Sequence, residues 1–172
     1  MTMKFKIILI ILFITFFPLT FSKSFQKEIK IGRLEKLKYK IEYLSGKKCN
    51  NELLYSIYNN INIKYENIIL SIITKESEFN QFALSRVYSE NNRDYGLMQI
   101  SDKWWSFDKE SIYNVEYNII LGYKIFKYFL GVSNGDVEQA LFLYNGSRQY
   151  ATDVMRINNL LKRKINIVYN EK

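Results

Sequence analysis

Beyond residue 25, apolar residues recur at three- and four-residue spacing along most of the chain, and the breaks between such stretches carry Gly or Asn. A stretch rich in Lys, Glu, Leu and Ile over 26–44 predicts a basic helix ended by Gly46. Asn50 or Asn51 is placed to cap a short helix through about Asn60, and 64–78 predicts a third. Polar residues crowd 80–103, where Asn91-Asn92 marks a loop. Asn114 predicts the cap of a helix that runs to about Leu130 and stops at Gly131. Asp136 with Gln139 has the form of a capping box opening a helix toward Tyr144, and a last helix is predicted from about Gln149 to Val168. No strand-length alternation competes with this pattern and no internal repeat is visible, so the expectation is an all-α fold with a single domain.

The N-terminus has a different pattern. Lys4 and Lys6 precede a run from Ile7 to Phe17 that is apolar but for Thr15, followed by Pro18 and by Thr20 and Ser22 at spacing suited to cleavage. This is the layout of a secretory signal peptide over 1–24, since a spanning helix needs about 20 apolar residues. An uncleaved anchor is the alternative. No cysteine lies near residue 20 to carry a lipid. The expected organisation is a signal over 1–24, a basic helical segment over 25–51 and a domain over 52–172, with the protein exported to the periplasm or cell envelope.

Composition narrows the chemistry. The 172 residues include no histidine and one cysteine, Cys49. Ser-His-Asp and Cys-His nucleophilic sites, His-ligated zinc, an intramolecular disulfide and a CxxC redox pair are therefore excluded. No cluster of ligands has metal-binding spacing, so no metal or organic cofactor is expected. The formal net charge is +8, and a chain beginning after Ser22 loses only Lys4 and Lys6, leaving +6. A basic exported protein suits an anionic partner such as a wall polymer or a membrane surface. No nucleic-acid-binding signature is present. The basic stretch Lys27–Lys48 reads either as such a contact or as the wet face of a helix, and Cys49 as a buried thiol.

On the helix over 64–78, turned at 100° per residue, Tyr65, Ile69, Ile72 and Ile73 fall within about 60° of Glu76, while Lys75 and Glu78 point away. The apolar stripe thus ends in a carboxylate. Desolvation there raises a carboxyl pKa and keeps the group protonated, as a general acid requires. A stripe-edge glutamate paired with a lysine is the alternative on pattern alone.

Glu76-Ser77-Glu78-Phe79-Asn80 is followed by Ala83 and Ser85, by Gly96-Leu97-Met98-Gln99-Ile100, by Asn118-Ile119 with Gly122, and by Tyr144-Asn145-Gly146. In this order the set resembles the SLT-type (family 1) lytic transglycosylases, whose lysozyme-like domain is related to goose-type lysozyme. The loop ending in Asp94-Tyr95 and the pair Trp104-Trp105 are most similar to the small members associated with secretion and conjugation machines. The resemblance covers roughly 52–156 and implies that Glu76 is the catalytic acid and base. The family cleaves the bond between N-acetylmuramic acid and N-acetylglucosamine in peptidoglycan. The 6-hydroxyl of the muramyl sugar attacks, leaving a 1,6-anhydro end, and the acetamido oxygen substitutes for a second carboxylate.

The resemblance further implies that Ser77, Met98, Gln99, Tyr144 and Asn145 bind substrate: Met98 against a sugar face, Gln99 through its amide, Tyr144 and Asn145 from the opposite cleft wall, Ser77 near the lactyl or acetamido group. Tyr150, with Val154 and Arg156, matches the family's last helix. Asp94 and Glu90 read as loop solvation or turn chemistry, Asn118 and Gly122 as structural. Trp104 and Trp105 read either as sugar-stacking or as core residues. Asn114 stands where the family usually has Asp, Leu143 where it has Ala and Ser147 where it has Gly. The last two put the shape of one cleft wall in doubt. The partners implied are glycan strands and an envelope or secretion-apparatus protein, with membrane contact only through 1–24. A hydrolase using water at Glu76 and a glycan-binding adaptor are the competing readings.

Overall fold

The computed structural model describes residues 32–87 and 92–170. The expected signal peptide over 1–24, the start of the basic helix, Glu90 and Asn91 lie outside them. The chain divides into two compact units, 1–36 and 37–172. Of the first, 32–36 are described and are helical. The second contains helices α1 (37–45), α2 (Asn51–Asn60), α3 (Glu66–Ser77), α4 (Val115–Val132), α5 (Val137–Asn145) and α6 (Arg148–Asn170). The all-α expectation holds. Between α3 and α4 lies one small addition: strands β1 (Asp94–Tyr95) and β2 (Ile100–Ser101), paired antiparallel with Asp94 opposite Ser101. Two residues per strand are too few for any period-2 pattern to register in the sequence.

Caps set the boundaries as local chemistry dictates. Asn50, Asn114 and Asp136 each place a side-chain oxygen on an N–H of the first turn, of Glu52, Tyr117 and Gln139 respectively. Helix α3 has no such cap and is entered through a 3₁₀ turn at Ile63–Tyr65. Gly131 does not stop α4 as expected. The helix runs on to Val132, and Asn134 takes the left-handed position (φ +52°). The Gly135 N–H then donates to Leu130 O and the Asn134 N–H to Gly131 O, closing the helix in a Schellman motif. Asparagine is the non-glycine residue best suited to that conformation, so the cap moved three residues on.

Helix α3 packs on α6, α6 on α5, α5 on α4 and α4 on α2. Their shared core includes Ile57, Ile69, Ile72, Ile73, Phe126, Leu141, Val154 and Leu161, all fully or nearly fully buried. No helix among the described residues is long and apolar enough to cross a membrane. Cys49 is part-exposed, not buried as expected, because its turn sits at the surface between α1 and α2.

The basic stretch is not uniformly a wet face. Lys38, Lys47 and Lys48 are exposed, but Lys40 is 9% exposed, with its ammonium 3.7 Å from the carboxylate of Glu66, itself 1% exposed. The pair ties α1 to the first turn of α3, where a carboxylate also suits the helix dipole. We expect Lys40→Ala to destabilise the protein by about 3 kcal/mol in urea unfolding, because it strips a counter-ion from a buried charge. Lys40→Met with Glu66→Leu should recover most of that loss.

Candidate active site

The last turn of α3 presents Glu76 to a cleft of about 290 Å³, whose walls also carry Asp94, Gln99, Trp105, Tyr144 and Asn145. Several constraints fix the carboxyl there. Immediately after α3, Glu78 and Phe79 both adopt left-handed backbone (φ +50° and +64°), at a cost of about 1 kcal/mol each. The Ser77 hydroxyl bonds Ile73 O at 3.2 Å and Leu97 O at 2.9 Å, clamping the helix end to the 96–99 turn. Lys75 points away from the cleft, as the wheel predicts, and pairs with Asp153 of α6 at 3.0 Å.

The 96–99 turn forms the facing wall. Gly96 is left-handed (φ +73°), and a Cβ there would run into the Asn118 amide. Asn118, 1% exposed, donates to Tyr95 O and Ile112 O and accepts from the Met98 N–H, all within 2.9–3.1 Å. The Met98 side chain is fully buried over Gly122, where any Cβ would strike its sulfur. Met98 therefore cannot pack on a sugar face as the resemblance implies. Its backbone carbonyl instead accepts the Tyr144 hydroxyl at 2.9 Å, joining this turn to α5.

Gln99 lines the cleft in a left-handed conformation (φ +45°), and its amide nitrogen is spent on Gly96 O and Ala83 O. Only its amide oxygen is left to face a ligand. Ser77, with its hydroxyl on two carbonyls, does not line the cleft. Asn145 is exposed and lines it. The cleft thus gathers Glu76, Gln99, Tyr144 and Asn145, while Ser77 and Met98 support it from behind.

Burial raises the Glu76 pKa from 4.5 to about 7, and the nearby Asp94 charge pushes the same way. The Tyr150 hydroxyl, the Asn145 amide and Lys75 pull it down by smaller amounts. Tyr150 is 8% exposed, and its hydroxyl lies against Glu76 without completing a hydrogen bond of ordinary geometry. Burial, with the Glu76 charge, holds the hydroxyls of Tyr144 and Tyr150 well above their usual pKa, so both stay neutral donors. The Ser147 hydroxyl accepts the Tyr150 N–H at 3.3 Å in the first turn of α6, which orients that tyrosine.

Asp94 corrects the sequence reading. It stands on β1 in the cleft wall with Glu76, rather than serving as loop solvation. An acid two residues before a left-handed glycine was the available signal, but its orientation depends on the β1–β2 pairing. The tryptophans divide: Trp105 packs edge-on against Tyr128 and Phe129, whereas Trp104 is 71% exposed and so is not a core residue. Among the described residues, no three His, Cys, Asp or Glu side chains converge as a metal site would require. The chemistry open to this cleft is proton transfer by one carboxyl of near-neutral pKa beside a second carboxylate.

Compared with known proteins, the chain matches the family described as Transglycosylase SLT domain over residues 54–166, well over half its length. No curated protein and no solved structure matches it.

Carbon-13 NMR of labelled glutamate should show Glu76 titrating near pH 7, and Asp94→Asn should lower that midpoint by removing a like charge. Folding raises this carboxyl from 4.5 to about 7, so the native state binds more protons than the unfolded chain in that window and stability falls as pH rises through it. Glu76→Gln should accordingly raise the melting temperature at pH 8, at about 2–4 °C per kcal/mol for a chain of this size, and leave it unchanged at pH 4.

Proposed function

The chain belongs to the SLT transglycosylase family, and we propose that it is an exported lytic transglycosylase that cleaves peptidoglycan strands at the MurNAc-β-1,4-GlcNAc bond, with Glu76 as acid and then base. The observation that carries this reading is the position of Glu76. It is a carboxyl held near pKa 7 by burial, at the end of an apolar helix stripe, opening on a cleft lined by the amides of Gln99 and Asn145 and by Tyr144. A carboxyl so poised is protonated often enough at neutral pH to donate and is a strong enough base to recover the proton.

In the first step Glu76 gives its proton to the bridging glycosidic oxygen, and the C1–O bond breaks to release the 4-hydroxyl of the N-acetylglucosamine side. Positive charge develops at C1 and the ring oxygen of the muramyl sugar. The Asp94 carboxylate, on the same wall, favours that charge electrostatically, and the Asn145 amide steadies the Glu76 carboxylate once it forms. In the second step the muramyl 6-hydroxyl attacks C1 and passes its proton to Glu76. The product is the 1,6-anhydro sugar, no water is consumed, and the enzyme returns protonated.

Asp94 also supports one of the competing readings, the hydrolase. A second carboxylate in the cleft is what an inverting hydrolase uses to activate water, and the two outcomes differ in the product end. Export rests on the pattern of 1–24, and an envelope-protein partner on the resemblance to secretion-associated members.

Incubation with isolated sacculi, followed by mass spectrometry of the released fragments, should show 1,6-anhydro-muramyl ends. Reducing ends would make the protein a hydrolase instead. Glu76→Gln should lower the rate by roughly 10³-fold or more in either case. Because the acid must start protonated, kcat/KM should fall as pH rises above about 7. Asp94→Asn should move that descending limb to lower pH, whatever it does to the plateau rate.

A further inference from the structure

A second cavity of about 480 Å³ adjoins the Glu76 cleft, and Trp104 and Trp105 line both. We propose that this cavity binds the peptide carried by the muramyl sugar, with a free carboxylate of that peptide against the Lys103 ammonium and its alkyl groups on the exposed face of Trp104. The proposal rests on the reading of the main cleft as a peptidoglycan site and names the part of the substrate that the second cavity selects.

Three observations carry it. The first is the contrast between the two tryptophans of the shared rim. Trp105 is fixed edge-on against Tyr128 and Phe129, and Phe129 in turn packs against Tyr144, so this half of the rim is rigid and continuous with the cleft wall. Trp104, beside it, leaves 71% of its surface in water. An exposed indole is a large apolar area that its own fold does not cover, available to stack on a ligand.

The second is charge. Lys103, Lys109 and Asp102 line the cavity. The Asp102 carboxylate is fully engaged: it accepts from the Arg93 N–H at 2.9 Å and the Tyr95 hydroxyl at 3.1 Å, and pairs with Lys109 at 3.1 Å. That pair neutralises itself. Lys103 has no carboxylate within ion-pairing distance among the described residues, and its ammonium instead rests 4.8 Å from the centre of the Trp104 ring. Among the described residues the cavity therefore presents one uncompensated cation, pre-positioned on an aromatic face, and calls for an anionic ligand with an apolar body.

The third is the chemistry of the substrate. The glycan backbone of peptidoglycan carries no charge of its own. Its carboxylates sit on the short peptide attached to the lactyl group of muramic acid, one of the two sugars joined at the bond beside Glu76. A cation in a cavity sharing a wall with that cleft faces the only anionic portion of the polymer in reach.

The test compares intact glycan strands with strands whose peptides have been removed by an amidase and whose newly exposed lactyl carboxylates have then been capped as neutral amides, at equal sugar concentration. The full protein should cleave peptide-bearing strands with a kcat/KM roughly five-fold higher, the size of one partly exposed charge-assisted contact with its apolar neighbour. Lys103→Gln and Trp104→Ala should each collapse that ratio toward one, while Lys162→Gln, on an exposed face of α6 outside both cavities, should leave it unchanged. Raising salt should shrink the ratio for the unmodified protein and not for Lys103→Gln. Equal cleavage of both strands by the unmodified protein overturns the proposal and leaves the proposed function standing, as does a preference that neither variant diminishes. Cleavage of neither strand overturns the proposed function, and this subsite with it.

Discussion

Asn118 is the point at which the helical frame and the cleft are joined. From the first turn of α4 its amide, 1% exposed, bonds three backbone groups, at Tyr95, Met98 and Ile112. Both flanking glycines follow from that contact. Gly96 must turn left-handed directly over the amide, and Gly122, one helical turn further on, must leave room for Met98. A buried amide with all partners satisfied is stable, and the same amide with one partner lost is costly, so the 95–99 segment is held in a single conformation. The cleft wall, the Tyr144 anchor on Met98 O and the Gln99 amide all descend from it.

Opposite that wall, the fold gives up stability around Glu76. Two consecutive left-handed residues end α3, and a carboxyl is held where its charged form is penalised. The surrounding clamps resist relaxation: Ser77 on Leu97 O, Lys75 on Asp153, and the packing of α3 on α6. Strain and a displaced pKa within one helical turn recur at functional sites, and they support the role proposed for Glu76. The flanking hydroxyls of Tyr144 and Tyr150, kept neutral by burial, add polarity without adding a competing titration.

Within the domain, charge is used in two ways. Lys40 and Glu66 bury a pair to seat α1 on α3. Around the second cavity the Asp102–Lys109 pair holds the segment after β2 against Arg93 and Tyr95, leaving the Lys103–Trp104 edge outside it. The difference is decided by which lysine finds a carboxylate in the folded chain.

Much of this protein was legible in its sequence because the responsible physics is local. Helix periodicity, the Asn50, Asn114 and Asp136 caps, and the placing of Glu76 at the end of an apolar stripe depend on residues within a turn or two of each other. The same holds for the spaced motifs through which the family is recognised. What the sequence could not decide is which side chains the long-range packing turns inward. The family resemblance implies sugar contacts for Met98 and Ser77, yet one fills the space over Gly122 and the other bonds main-chain carbonyls. Asp94 reads from sequence as loop solvation or turn chemistry, yet a two-residue strand pairing turns it to the cleft. The stretch that contains Lys40 reads either as a contact for an anionic partner or as a wet helix face, and Trp104 as either stacking or core, and their burial and exposure are decided only in the folded chain. Local spacing fixes the helices and offers the candidates. Only tertiary packing fixes direction, solvent access and charge partners, because each of these depends on atoms that folding, and not the regular spacing of a helix, brings together.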